Sequence, residues 1–130
     1  MSTDDLALTS AATYLSAARK ALAGGDSDTA RDDLTKARAA GPDRKLRAEA
    51  DTLSAEIAMV DGDLGLAAVL FMEVAERYAD LPAGENALVA AARVLHASGG
   101  TTAARAAWRR YLDRYPEGRF RADVLRRLRN

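Results

Sequence analysis

"LAGGDSDTARDDL", residues 22–34, is answered 37 positions later by "MVDGDLGLAAVLF", 59–71, and again by "HASGGTTAARAAW", 96–108. Laid over one another, the stretches align Gly25, Gly62 and Gly99, then Ala30, Ala67 and Ala104, then Leu34, Phe71 and Trp108. Upstream, Ala18, Ala55 and Ala92 keep the same step. A period between about 20 and 50 residues is the signature of stacked supersecondary units.

β-branched and aromatic residues never alternate over a useful run, and alanine, leucine, arginine and glutamate dominate, so the units are helical. In the first, Leu15, Ala18 and Leu22 make a stripe at helical spacing, "GGD" ends it, and Asp26 stands ready to cap the next helix. The second helix shows Ala30, Leu34 and Ala37 on one face and stops at "GPD". The same scheme predicts helices near 4–23, 27–40, 44–61, 64–79, 83–97, 101–115 and 118–129. The fold class is therefore all-α: a single domain over 1–130, with helix-pair units at about 11–47, 48–84 and 85–121 and a cap helix at about 118–129. Antiparallel helices approach closely only where side chains are small, which gives the alanine columns their place as contact points. A lone unit cannot bury its apolar face, so units must stack and a terminal helix must cover the last.

A small residue on the first helix, Gly-Asp at the turn, alanine, a large apolar residue four beyond, and a later proline together resemble the tetratricopeptide repeat. Ala18, Gly25, Asp26, Ala30, Leu34, Ala37 and Pro42 carry the likeness, and Gly99, Gly100, Ala104, Trp108, Tyr111 and Pro116 carry it again. Unit two departs from it, with Ala79 where proline is usual and Pro82 three residues later, and Asp51 and Leu88 replace the first-helix aromatic seen as Tyr14. The usual period is about 34 residues. The longer step here, with "YLDRYPEGRF", resembles the bacterial envelope subgroup: outer-membrane assembly lipoproteins, Tol–Pal coordinators and anti-sigma sensor tails. The resemblance implies a right-handed α-solenoid of three such pairs plus a capping helix, with partner peptides held on the concave face.

The opening motif's last copy leads into the arginine-rich end of the chain. Residues 105–130 hold nine arginines against Asp113, Glu117 and Asp123, net +6, while residues 1–104 are net −6. This end could meet an acidic partner or the acidic part of a second copy. The stripe Phe120, Val124, Leu125 and Leu128 makes 118–129 a cap helix first, leaving only a weak case for membrane contact and none for nucleic acid. Trp108 falls in the core column.

No cysteine is present, and one histidine, His96, makes a metal site improbable. His96 shares the column of Leu22 and Met59 and has no motif of a general base around it, so it is expected partly buried or lining a groove. "SGGTTAAR" reads as an inter-helix turn rather than an anion site. Asp4, Asp5, Asp26 and Asp28 sit at helix starts, where negative charge suits the helix dipole. Catalytic residues, metal and cofactor are all expected to be none. The start lacks a basic and apolar leader, which fits either a cytoplasmic chain beginning at Met1 or a piece of an envelope protein.

On the resemblance, the inward positions are Ala12, Leu15, Arg19 and Leu22; Glu49, Thr52, Glu56 and Met59; Asn86, Val89, Arg93 and His96. Leu15, Met59 and Val89 supply apolar patches, while Arg19, Glu56 and Arg93 form a charged column whose members could solvate one another. The partner-binding set is thus Arg19, Glu49, Thr52, Glu56, Met59, Asn86, Val89, Arg93 and His96, and the function a non-enzymatic protein–protein interaction module. The alternatives are a homo-oligomerising scaffold and a regulatory tail of a larger envelope protein. In thermal melting, Ala67→Asp should unfold the domain or badly destabilise it, because it buries a charge. Arg93→Ala should stay within about 0.5 kcal/mol of the parent, as surface changes do. A larger loss for the Arg93 change would overturn the alignment.

Overall fold

The computed structural model describes residues 2–130; Met1, where the predicted domain begins, lies outside the described residues. Seven α-helices and no strand occur among them: α1 (Thr3–Ala23), α2 (Ser27–Ala39), α3 (Arg44–Val60), α4 (Leu64–Arg77), α5 (Pro82–Ala97), α6 (Thr101–Arg114) and α7 (Arg121–Arg129). The chain is all-α and repeat-like. The first six helices lie within two residues of their predicted bounds; α7 begins three residues later than the predicted 118.

Local chemistry fixes the starts. The Asp5 amide donates to Ser2 Oγ (3.1 Å) and the Ser2 amide to Asp5 Oδ2 (3.3 Å), a reciprocal cap on α1. Asp26 caps α2 by accepting from the Thr29 amide and hydroxyl, and Asp43 caps α3 through the Leu46 amide. Those bonds hold the Asp26 carboxyl below its ordinary range, the Thr29 hydroxyl contributing most. Pro82 opens α5, where a missing amide hydrogen costs nothing.

The stops are copies of one another. Gly25, Gly62 and Gly99 all take left-handed φ, at 81°, 81° and 88°. Each donates to the carbonyl three residues back: Leu22 (2.9 Å), Met59 (3.0 Å) and His96 (3.1 Å). The following amide, of Asp26, Asp63 or Gly100, donates five back, to Ala21 (2.9 Å), Ala58 (2.9 Å) or Leu95 (2.8 Å). These paired bonds are the Schellman closure of a helix. The recurrence in the sequence is thus a recurrence of backbone geometry.

The chain forms two compact units, one ending at Asp63 and the other running from Leu64 to Asn130. This division falls between α3 and α4, inside the predicted unit 48–84. In the first unit α1 packs on α2, and α3 touches both. Its core joins Leu15 and Ala18 to Ala30, Leu34 and Ala37 and to Ala50, Leu53 and Ile57, with Tyr14 and Leu46 packed against it. Leu15 was expected to line a groove; it is 1 % exposed because it points between α1 and its two neighbours. A fully buried leucine contributes roughly 1.5–3 kcal/mol, so these contacts outweigh anything at the surface.

In the second unit α5 is the middle helix, packed on α4 and on α6, while α7 packs on α6. Two-sided packing buries Ala87, Leu88, Val89, Ala91, Ala92 and Val94. Phe71, Val74, Ala104, Trp108 and Tyr111 are buried with them. The late start of α7 has a specific cause. Tyr111 donates its hydroxyl to Glu85 Oε2 (2.6 Å) and accepts from the Phe120 amide (2.9 Å), while the Arg119 amide donates to the same Glu85 oxygen (3.2 Å). Side chains of α5 and α6 therefore hold the backbone at 119–120 as the lead-in to the helix, and α7 opens with the Val124 amide donating to the Phe120 carbonyl (2.9 Å). Gly118 passes so close that an added Cβ would stand 2.2 Å from the Tyr111 hydroxyl. Burial, then the bond to Glu85, pushes the Tyr111 hydroxyl up to about 12.

A Cβ at Gly99 would meet nothing within 4 Å, so its replacement tests the backbone conformation alone. Gly99→Ala should cost about 1–2 kcal/mol in denaturant unfolding, the penalty of a left-handed L-residue. A loss of only a few tenths would mean that the turn relaxes into another closure.

Candidate functional site

The predicted binding residues divide between the units. Arg19, Glu49, Thr52, Glu56 and Met59 lie in the first, on α1 and α3; Asn86, Val89, Arg93 and His96 lie on α5 in the second. In the first unit α1 and α3 are neighbours, so their outer residues form one surface. Positions 49, 52, 56 and 59 follow helical spacing and share a face of α3.

Arg19 donates to Glu49 Oε2 at 2.8 Å, with half of the arginine side chain still exposed. Thr52 turns its hydroxyl onto the Ala48 carbonyl (2.8 Å), one turn back in its own helix, so it offers an incoming chain little donor capacity. Glu56 is half-buried. Partial burial pushes its carboxyl above the ordinary range, and the Arg19 charge offsets only part of this. Arg19, the cation that acts on Glu56, spends its hydrogen bond on Glu49. Met59 is 42 % exposed and Val60 50 %. The face therefore combines a fixed arginine, a desolvated carboxylate and uncovered apolar carbon.

On α5 the outcome is mixed. Val89 is 1 % exposed and belongs to the core, so its assignment to the binding face is corrected; two-sided packing of α5 widens the buried sector past the single stripe inferred from periodicity. Asn86, Arg93 and His96 are exposed. Arg93 donates to Asp123 Oδ2 (3.3 Å), and Arg119 donates to Asn86 Oδ1. Arg93 and Asp123 stand 74 positions after Arg19 and Glu49, two full periods, so the recurrence reproduces one ion pair in each unit. Each arginine thus pairs with a carboxylate outside the predicted charged column.

The arginine-rich end is less free than its composition suggests. Arg105 donates to the Leu128 carbonyl (2.7 Å), Arg110 and Arg114 pair with Glu76, Arg119 with Asn86, and Arg126 and Arg127 with Asp123. Partial burial draws the Asp123 carboxyl upward, but Arg127 and Arg93 hold it net below its ordinary range. Six of the nine arginines are thereby engaged inside the second unit. Exposed pairs of this kind contribute about 0–1 kcal/mol each, so they orient the side chains more than they stabilise the fold.

Two features escaped the sequence reading. Glu85 and Tyr111 act as a polar latch, and no spacing rule links residues 26 apart. On α4, Leu66 and Val69 are 47 % and 55 % exposed, and Val69, Met72, Glu73, Glu76 and Arg77 border an open groove of about 620 Å³. The run "LGLAAVLFMEVA", 64–75, holds more apolar residues than one stripe can bury, which is the signal that was there to be read. Among the described residues no group of three or more histidine, aspartate or glutamate side chains is arranged to hold a metal ion, and no helix is long and apolar enough to cross a membrane. No protein-family model matches the chain, and no curated protein or solved structure does either.

Because the Glu56 carboxyl lies above its unfolded value, the folded state binds a proton more tightly there, and stability falls as pH rises through that window. Above the window the ionised group is a standing penalty. Glu56→Gln should melt higher than the parent at neutral pH, and the gain should shrink on acidification to where Glu56 is protonated. Melting curves across pH 3.5–8 check this; a variant less stable than the parent at pH 7 would show that Glu56 supports the fold.

Proposed function

We propose that this chain is a non-enzymatic protein–protein interaction module, a right-handed α-solenoid of three tetratricopeptide-like helix pairs capped by α7. It holds a peptide or helix of a partner protein along the outer faces of α1, α3 and α5. The observation that carries this reading is Glu56: a half-buried carboxylate kept beside an arginine already bonded elsewhere, next to exposed Met59. A group that costs folding stability is retained where it serves recognition. Support for the architecture comes from the copied turns and from the columns Ala18, Ala55, Ala92 and Ala30, Ala67, Ala104, all at most 1 % exposed. Recognition would combine apolar contact with charge-assisted hydrogen bonds, which are about twice as strong as neutral ones. The 37-residue period favours kinship with the envelope subgroup.

Self-association is a second reading, favoured by the opposite charges of the two units: residues 1–63 are net −4 and residues 64–130 net +4. The internal pairing of most C-terminal arginines weighs against it.

Selection from a random peptide library, followed by amide-shift mapping of the best binder, tests the proposal. Perturbations should gather on α1, α3 and α5, and Arg19→Ala with Arg93→Ala should weaken binding without lowering the melting temperature by more than a few degrees. No enrichment, or shifts confined to α2, α4 and α6, would remove the proposal. Salt-dependent light scattering of the chain alone separates the second reading.

A further inference from the structure

A partly enclosed cavity of about 170 Å³ lies in the second unit where the C-terminal end of α5 meets α6 and α7, and of its lining only His96 is also assigned to the docking face. His96 contributes from α5, Thr101 and Arg105 from α6, and Arg127 from α7, with the Trp108 indole also in the wall. Both guanidinium groups are held in place by bonds that leave other donors unused. Arg105 gives one terminal nitrogen to the Leu128 carbonyl (2.7 Å). Arg127 gives Nε to Asp123 (3.2 Å) and lies over the Trp108 ring, 5.3 Å from its centroid. Asn130 also lines the cavity, and Asp123, the carboxylate that Arg127 pairs with, is shared with Arg93 and Arg126. The cavity thus presents two guanidinium groups, from α6 and α7, fixed before any ligand arrives, with the His96 imidazole of α5 beside them.

We propose that this cavity binds a phosphate group. Donors arriving from three helices suit a tetrahedral oxyanion with acceptors on every side, whereas a planar carboxylate is satisfied by one guanidinium fork. Size sets the class further. Sites for drug-sized ligands occupy about 300–1,000 Å³, so this one takes the phosphate alone, as orthophosphate or as a monoester whose organic part stays outside. Trp108, the single tryptophan, reports on occupancy from the cavity wall.

The experiment uses the full chain, titrated with inorganic phosphate against chloride at equal ionic strength, reading Trp108 emission and the amide shifts of residues 101–104. Parallel arms add vesicles of phosphatidic acid or of phosphatidylcholine, which separates a lipid headgroup from a soluble phosphate. A saturable response to phosphate, or sedimentation with phosphatidic acid vesicles alone, is expected. His96→Glu should weaken it at least about tenfold. Arg105→Gln should do the same, but it also loses the bond to Leu128, so the exposed His96 position decides the matter. Arg109→Glu, exposed on the same helix outside the cavity, should leave the response unchanged. No saturable response in any arm, or one that His96→Glu leaves intact, overturns the proposal.

Discussion

Where a helix stops decides which way the next one faces. An α-helix turns about 100° per residue, so one extra residue in α1 or α5 would swing the following chain by more than a quarter turn. The left-handed glycines prevent this. At Gly25 and Gly99 the paired amide-to-carbonyl bonds end the helix at the same step, and the next helix starts one residue after the second donor. Ala30 and Ala104 then arrive at buried positions, with Leu34 and Trp108 one turn further along. Without the stop, the apolar stripes on either side would have no shared direction.

That dependence explains what could be read from sequence. Helix ends were legible because glycine, aspartate and proline act within a few residues, and the alanine columns because a period of 37 repeats them. Leu34, Phe71 and Trp108 are all buried as their column required. What was hidden depended on neighbours rather than on spacing. A stripe inferred from periodicity assumes one partner, but α5 has two, so Val89 left the face assigned to it; Leu15 was lost in the same way between α2 and α3. The start of α7 was set by two distant side chains: Glu85, 34 positions before the Arg119 amide it accepts from, and Tyr111, 9 positions before the Phe120 amide.

Charge shows the same limit from another side. Composition places nine arginines at the C-terminal end, but partners decide what an arginine does. Arg105 fastens α7 to α6 through a backbone carbonyl, and Arg110 with Arg114 reaches Glu76 on α4. Most of the apparent basic patch is therefore internal wiring of the second unit, and Arg109, Arg121 and Arg129 remain its open part. An electrostatic footprint drawn from counts alone would overstate what the surface presents.

The frame and the face follow different rules along the same recurrence. Frame columns keep their chemistry in every copy: alanine stays alanine, and large apolar stays large apolar. On the face, the step that pairs Arg19 with Glu49 and Arg93 with Asp123 meets Glu56 and Asn86 in the middle copy. There an acid replaces the arginine, and a neutral amide replaces the carboxylate. Glu56 is left half-buried, and that burial, only partly offset by the Arg19 charge, is why its carboxyl lies above the ordinary range. Since exposed ion pairs add at most about 1 kcal/mol, the fold can tolerate such a break, and a surface free to change charge while its scaffold stays fixed is the physical condition for recognising another chain.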